Sequence, residues 1–480
     1  MEGWRDRLAG RLTRRTSSGR YIAEIDGLRF VAIAMVVLFH SQLRLFEASG
    51  GEIGKSPPLH NTFDLSIAQG RFGVHLFFII SGFILALPFA AERLAGARPV
   101  RLKAFYLRRL TRLEPPYFVV LTVYFLLGST THLWKLWSDY HDTLLPRFGA
   151  GLVYAHGLLF RGNNPILPPT WSLEIEVQFY LLVPLLALVF TIKRTAQRRA
   201  VMIGGAVFAA IVQWVTLESL GVLPPILLSY LQFFLVGFLL ADVFLLEWHE
   251  QPSQRWTWDA IGLAALLIVF IGAPPLHERI LWAHQLVLLP CLFVCLFCAA
   301  FRGPRIRSLL TFRWIAIVGG MCYSIYLLHT PLMAMLAPHT AGIGERWGTL
   351  NVVVQFLVLG SVALLVSALF FIFVERPCMD PHWLSRFVAR FAERSRTMSR
   401  GRRAEVSRSD PRPYGPGAGA PAAAAAIAGS VPMDAAGPRR SASSARSPSG
   451  ALEGSDPAGV HVVTEGSGAT PPSRLSPDSP

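Results

Sequence analysis

Stretches of about 20 apolar residues recur along this chain, and they constrain its fold more than any other feature. A helix of that length crosses the roughly 30 Å hydrocarbon core of a bilayer. Lipid offers the backbone no hydrogen-bond partners, so such segments must be helical or close into a barrel. The chain is therefore predicted to be all-α, a polytopic membrane helical bundle of about ten transmembrane helices. The predicted spans are 27–45, 73–91, 113–128, 172–192, 200–217, 225–246, 257–273, 283–301, 314–338 and 350–374.

The composition agrees with this prediction. Of the 480 residues 52% are hydrophobic and 16% are charged, whereas soluble domains carry about 25% charged residues. The 5 cysteines form no CxxC pair and lie in or beside apolar stretches, which argues against a disulfide framework or a zinc site. No metal is expected.

Basic residues give an independent prediction of topology. With ten spans and a cytoplasmic N-terminus, the inside segments hold 30 lysines and arginines and the outside segments hold 8. This asymmetry follows the positive-inside rule and places both termini in the cytoplasm. It requires that the short apolar stretch 149–160 re-enters the membrane without crossing it. Because the basic residues serve this orientation, the net charge of +15 does not indicate nucleic-acid binding.

The composition along the chain divides it into four segments. Residues 1–26 form a basic cytoplasmic N-terminus, 27–377 the membrane-embedded domain and 378–403 a basic cytoplasmic segment. Residues 404–480 are rich in Pro, Ala, Gly and Ser, and no Phe or Trp follows Phe391. This last segment is predicted to be disordered, since it has too little apolar surface to form a core.

Ionisable side chains within the spans suggest a site near the outer face. In the predicted topology His40, Glu176 and His329 share the outer part of the bilayer, where such groups are costly and usually serve pairing or function. Glu174 and His75 are expected at similar depth. A lone intramembrane histidine more often links two helices than performs catalysis, so the indication comes from the grouping.

A second group lies at the predicted cytoplasmic face. Arg109 and Arg112 are three residues apart and share one helical face, and Arg29 is expected nearby. Paired guanidinium groups suit a phosphorylated ligand. The simpler interpretation is that these arginines only anchor the helix end. Glu375 is expected to pair locally with Arg376 or another loop arginine.

Several motifs together resemble the acyltransferase 3 family of bacterial integral-membrane O-acyltransferases, over roughly Ile25 to Pro377. Each motif is weak alone, but all occur in the order typical of the family. They are Asp26-Gly-Leu-Arg29 followed by His40, then Gly73–Phe83, the pair Arg109 and Arg112, Thr170–Tyr180, Tyr323–His329 and Val374–Pro377. The sequence departs from the family pattern at His75, Cys322 and Val177.

The resemblance implies a membrane enzyme that moves an acyl group from cytoplasmic acyl-CoA to a sugar hydroxyl. The donor would be acetyl-CoA by family frequency. Arg109 and Arg112, with help from Arg29, would hold its phosphates. His40 would act as general base, with Glu176 orienting it and His329 as a further catalytic residue. A covalent acyl-His or acyl-Ser81 intermediate stays open.

The partners implied are acyl-CoA, membrane lipid and a glycan, glycolipid or glycoside acceptor, with no nucleic acid. The implied location is the bacterial inner membrane. The acceptor and the oligomeric state stay open. The main alternative is a proton-coupled transporter or flippase that uses the buried His and Glu as a relay, although a transporter needs no phosphate clamp. A non-enzymatic membrane anchor would leave the histidines unexplained.

Overall fold

The structure is a computed structural model. It describes residues 2–14, 21–51, 62–131, 141–160, 162–220, 224, 226–248, 254–271, 287–380, 383 and 386. Within these ranges the regular secondary structure is helical and contains no β-strand, which confirms the predicted all-α class. The predicted segment 378–403 lies mostly, and the predicted tail 404–480 wholly, outside the described residues.

In the first half of the chain, long helices are joined by short helices and turns. They are α1 (Glu2–Leu12), α2 (Ala23–Ala48), α3 (Thr62–Ala68), α4 (Gly73–Leu94), α5 (Leu102–Thr131), α6 (Leu144–Leu152), α7 (His156–Phe160), α8 (Trp171–Leu186) and α9 (Thr195–Leu220). Tight 3₁₀ turns cover Gln69–Phe72, His141–Thr143, Pro168–Thr170 and Ala187–Thr191.

The later helices include two sharply bent pairs. They are α10 (Leu231–Glu247), α11 (Trp256–Ile271), α12 (Leu289–Arg302), α13 (Pro304–Leu310), α14 (Arg313–Gly320), α15 (Cys322–Thr340), α16 (Asn351–Phe370) and α17 (Arg376–Cys378). Helices α12 and α13 meet at 87°, and α14 and α15 at 68°. Leu227–Ser229 and Ala341–Leu350 are 3₁₀ segments, and Phe371–Glu375 is π-helical.

A helix lies at each of the ten predicted span positions. By length and apolar composition, 5 helices of the described residues can cross a membrane, or up to 7 if each bent pair is one span. The chain is thus a multi-pass membrane protein, while the count of ten stays a prediction. The stretch 149–160 consists of the end of α6, a turn at Tyr154 with φ 54°, and α7. Both helices are too short to span a bilayer.

The bundle is held together by close helix contacts and aromatic packing. At the crossing of α4 and α10, a Cβ on Gly82 would lie 2.3 Å from Phe234 O, so only glycine permits this approach. Small residues commonly bring membrane helices together in this way. Phe83, Phe238 and Phe297 are fully buried beside this contact. The exposed apolar side chains instead form the lipid-facing surface, for example Leu185, which is 63% exposed.

Helix α5 begins earlier than its predicted span, because its first turns are basic rather than apolar. It contains Pro115 and Pro116. Pro115 has no N–H, so the carbonyl of Thr111 lacks its usual helical partner. The indole Nε1–H of Trp383, which follows the last helix, donates to that carbonyl at 3.1 Å. The chain after α17 is therefore fastened to the helix that carries the predicted arginine pair.

A buried ion pair joins α9 to α10. Arg198 is 1% exposed and Asp242 is fully buried, and the guanidinium Nε–H of Arg198 donates to the carboxylate. We expect Asp242→Ala to lower the free energy of unfolding by about 3–5 kcal/mol, because the substitution leaves a buried cation without its counter-charge. Unfolding of the full chain in detergent measures the change.

The matched control is Glu247→Ala on the same helix. Glu247 forms an ion pair with Arg199, the residue next to Arg198, but the side chain of Glu247 is 51% exposed. Solvent screens this pair, so the expected decrease in the free energy of unfolding is below about 1 kcal/mol. Equal effects of the two substitutions would contradict a stabilising role for the buried pair.

Candidate active site

Helices α2, α4, α8 and α15 surround a column of polar side chains inside the bundle. One end of the column holds His40 and His329, and the other holds arginines from α2 and α5. The side chains between them are Ser81, Ser172, Glu176 and Tyr326, linked in two hydrogen-bonded pairs. The column joins the two groups of residues that the sequence singled out.

The two histidines are in direct contact. Nε2 of His329 lies 3.3 Å from Nδ1 of His40, and the ring centroids are 4.9 Å apart in an edge-to-face arrangement. His329 is fully buried, and its Nε2 also accepts a hydrogen bond from the hydroxyl of Thr330 at 3.0 Å. The grouping of His40 with His329 predicted from the sequence is therefore present in the structure.

The hydrogen-bond partners define where each ring carries its proton. A backbone carbonyl only accepts, so a ring nitrogen that faces one carries a proton. Nδ1 of His329 faces the carbonyls of Ile325 at 3.0 Å and Tyr326 at 2.8 Å, which leaves its Nε2 as an acceptor. Nδ1 of His40 faces the carbonyl of Val36 at 2.9 Å and donates to it and to His329. The lone pair of His40 is therefore on Nε2.

This arrangement suits His40 to act as a base. The free Nε2 can take a proton from a hydroxyl, and the resulting cation keeps its Nδ1–H bonds to the Val36 carbonyl and to His329. His329 thus occupies the position beside Nδ1 of His40 that the sequence analysis gave to the carboxylate of Glu176. The bond to Val36, four residues earlier on the same helix, and the contact with His329 together orient the ring of His40.

Glu176 does not contact His40 among the described residues. Its carboxylate instead accepts a hydrogen bond from Ser81 Oγ at 2.5 Å, and it interacts electrostatically with Arg29 and Arg109. The expectation that Glu176 orients His40 is not met by this geometry. Glu176 belongs to the middle of the column.

Helix direction explains the difference. Ser172 and Tyr326 share a hydrogen bond of 2.6 Å between α8 and α15, and Glu176 interacts electrostatically with Tyr323 one turn before Tyr326. The two helices are thus antiparallel. Ser172 and Tyr326 mark one level of the bundle. Glu176 is four residues beyond Ser172 in one direction, and His329 is three residues beyond Tyr326 in the opposite direction. At 1.5 Å per residue the two are about 10 Å apart along the bundle.

The arginine end of the column is more strongly paired than the sequence suggested. Arg29 donates to Asp26 at 2.7 Å, and Asp26 is fully buried. Arg109 stacks on the ring of Phe105 at 3.7 Å and donates to that residue's carbonyl. Nε of Arg112 is buried without a hydrogen-bond partner within the described ranges. Arg109 and Arg112 are therefore better placed than Arg29 to receive an anionic ligand.

Glu375 is expected to pair with Arg376 or another loop arginine, and the structure gives it an electrostatic interaction with Arg112. It is fully buried, and its carboxylate accepts hydrogen bonds from the backbone N–H of Ser324 at 3.1 Å and from its hydroxyl at 2.5 Å. The expected local pair with Arg376 is not formed, since Arg376 donates to the carbonyl of Gly10. The π-helical turn that ends at Glu375 directs the side chain inward, and such turns often occur at functional sites.

His75 and Glu174 lie outside the histidine pair. His75 packs among aromatic rings, the nearest being Phe233 at 4.6 Å between centroids. Glu174 is buried and accepts a hydrogen bond from Gly157 N at 2.8 Å, so it ties α8 to the short helix α7. Both side chains have structural explanations.

Taken together, the helices and their exposed apolar surface define a multi-pass membrane protein with a column of polar side chains inside the bundle. Residues 22–372 match the sequence model of the acyltransferase 3 family, described as an acyltransferase domain, and the chain belongs to that family. The matched region contains both histidines and all three predicted arginines.

Similar proteins are of bacterial origin. The peptidoglycan O-acetyltransferase of Listeria monocytogenes is 24% identical over 340 residues, 67% of this chain and 51% of that protein. A Staphylococcus aureus protein named as a proposed O-acetyltransferase is 23% identical over 78% of this chain and 60% of its own length. A Komagataeibacter xylinus protein named as a proposed membrane-bound transacylase is 28% identical over 74% of this chain and 83% of its own length.

The chain spans between half and about three fifths of the Listeria and Staphylococcus relatives. No solved structure matches it.

Proposed function

We propose that the protein is a membrane O-acyltransferase that moves an acyl group, acetyl by the names of its relatives, from acyl-CoA to a sugar hydroxyl. The observation that carries the proposal is the polar column, which links an arginine cluster to a histidine whose Nε2 lone pair is free. A thioester that enters at the arginine end would meet an acceptor hydroxyl at the histidine end.

The side chains suggest a sequence of steps. Arg109 and Arg112 hold the coenzyme phosphates by charge-assisted hydrogen bonds. Nε2 of His40 takes the proton of the acceptor hydroxyl as its oxygen attacks the thioester carbonyl. The carbon–sulfur bond breaks, and the departing thiolate recovers a proton from the imidazolium. His329 stabilises that imidazolium through the Nδ1–H of His40.

The acceptor that we propose is a hydroxyl of a cell-surface polysaccharide, a glycolipid or a secreted glycoside. The name of the Listeria relative, a peptidoglycan O-acetyltransferase, supports a sugar polymer of the cell envelope. The location that we propose is the bacterial inner membrane, with both termini in the cytoplasm. This orientation puts the arginines on the side where acyl-CoA is made.

Reporter fusions test the orientation. A reporter within 193–199 is expected on the cytoplasmic side, because that segment is basic, and one within 134–146 on the outside. Phosphatase and fluorescent-protein fusions distinguish the two sides. If the fusion within 193–199 reports the outside, the stretch 149–160 crosses the membrane, and the depth assigned to Glu176 in the sequence analysis is wrong.

The activity is tested by deleting the gene and measuring the mass of envelope glycans and secreted glycosides. The enzyme proposal predicts that one glycan persists and loses an acyl mass increment, which the intact gene restores. The transporter alternative predicts that a whole glycan disappears from the cell surface. An unchanged set of glycan masses would contradict both.

A further inference from the structure

A cavity of about 260 Å³ lies where helices α2 and α14 begin, and no step described above uses it. Its polar lining residues are Thr13, Arg14, Tyr21, Asp26, Thr311 and Arg313. Arg14 also interacts electrostatically with Arg112, so the cavity is adjacent to the arginine end of the column.

Two helix N-termini border the cavity without side-chain caps. Helix α2 has Ile22 at its N-cap and α14 has Phe312, neither of which can accept a hydrogen bond through its side chain. The first N–H groups of a helix have no partners within it and carry partial positive charge. Where capping side chains are missing, an anion can take their place.

Buried charge at the cavity is also predominantly positive. Asp26 is fully buried and lies 3.0 Å from Nε of Arg14 and 2.7 Å from Nη1 of Arg29, so one carboxylate serves two guanidinium groups. Nε of Arg14 and Oδ2 of Asp26 form no aligned hydrogen bond, and both atoms are buried. Burial, followed by the charge of Arg29, lowers the pKa of Arg14 to about 10. An anion bound in the cavity would balance the excess positive charge and would counteract the lowering of the Arg14 pKa.

Arg313 provides a second cation from the opposite wall. It pairs with Asp6 at 2.5 Å, but both side chains are more than half exposed. Such a pair contributes little and is easily exchanged. Arg313 is therefore available to a ligand in the cavity, together with the N–H groups of the helix that it begins.

We propose that this cavity binds a phosphate group. The assignment of its source rests on the proposed function: coenzyme A carries a diphosphate and a separate 3′-phosphate. Arg109 and Arg112 would hold the diphosphate, and the cavity would hold the 3′-phosphate. The same chemistry is present in an anionic phospholipid headgroup, so the test must distinguish the two sources.

The first arm uses soluble nucleotides and the full chain in detergent. Wild-type protein is expected to bind adenosine 3′,5′-bisphosphate about tenfold more tightly than adenosine 5′-monophosphate, and Arg14→Gln and Arg313→Gln should each remove most of that preference. Arg14→Lys, which keeps the charge, should retain part of it. Arg305→Gln is the matched control, because Arg305 is exposed on α13 and does not line the cavity.

The second arm compares vesicles of phosphatidylglycerol with vesicles of phosphatidylcholine. If the source is lipid, phosphatidylglycerol should raise the unfolding temperature of the wild type, and Arg14→Gln should abolish that increase. Either response supports a phosphate site and identifies its source. If folded Arg14→Gln and Arg313→Gln proteins match the wild type in both arms, the inference is overturned.

The outcome also separates this inference from the proposed function. Normal acetyl-CoA turnover, together with variants that match the wild type, would overturn the cavity site alone. A wild type that neither binds nor uses acetyl-CoA would overturn the proposed function, while an Arg14-dependent effect of phosphatidylglycerol would still support the cavity.

Discussion

Replacing His40 by alanine is expected to lower the rate of acyl transfer by about 10²- to 10⁴-fold, the usual contribution of a general base. The substitution removes the imidazole whose Nδ1 is held by the Val36 carbonyl and His329 and whose Nε2 carries the lone pair. Because His40 lies away from the arginines, acyl-CoA binding should be retained. Transfer from radiolabelled acetyl-CoA to cell-envelope glycan in membrane vesicles measures the rate.

The control for this experiment is His339→Ala, which removes an exposed imidazole from the same helix as His329. Its activity should match that of the wild type. His75→Ala should also reduce transfer less than His40→Ala, because His75 packs among aromatic rings and lies outside the histidine pair. Near-normal turnover of correctly inserted His40→Ala protein would eliminate this histidine as the base.

The second large effect is expected from replacing both Arg109 and Arg112 by glutamine. Each charge-assisted contact contributes roughly 1.5–3 kcal/mol, so the apparent affinity for acyl-CoA should fall by about one to several orders of magnitude. Lysine at both positions should restore affinity only in part, since a point charge cannot reproduce the guanidinium fork. Titration of the purified full chain with acetyl-CoA measures the affinity.

Arg108→Gln is the matched control, because Arg108 is exposed on the same turn of α5. This substitution removes a positive charge from the same turn of α5 but does not alter the polar column. An affinity equal to that of the wild type in the double variant, on protein whose orientation the reporters verify, would return these arginines to helix anchoring. It would also favour the transporter alternative.

The positions of the helices could be predicted from sequence because the bilayer imposes the requirement directly: an apolar run must be helical to satisfy its backbone. One departure is the start of α5, whose basic first turns lie outside the apolar run. Another is the 68° bend between α14 and α15, which falls inside the predicted span 314–338. The predicted depths also grouped His40 with His329, since both were expected far along spans that run outward, although depth alone did not predict that the two rings touch.

The position of Glu176 could not be predicted in the same way. Depth counted from span ends cannot resolve a difference of about 10 Å, which depends on how two antiparallel helices are aligned. That alignment is set by contacts between distant residues, such as Ser172 with Tyr326. The full burial of Glu375 could not be predicted for a similar reason, because a π-helical turn leaves no signal in the apolar pattern.

The histidine pair has a consequence for the cost of keeping a catalytic base inside the bilayer. A carboxylate beside His40 would place a permanent negative charge at this depth, and burying an ion is expensive unless it is fully paired. With His329 as the neighbour, the resting site contains two neutral rings and no net charge. The pair itself would carry charge only while a proton is in transit, so at rest the two rings need no counter-ion of their own.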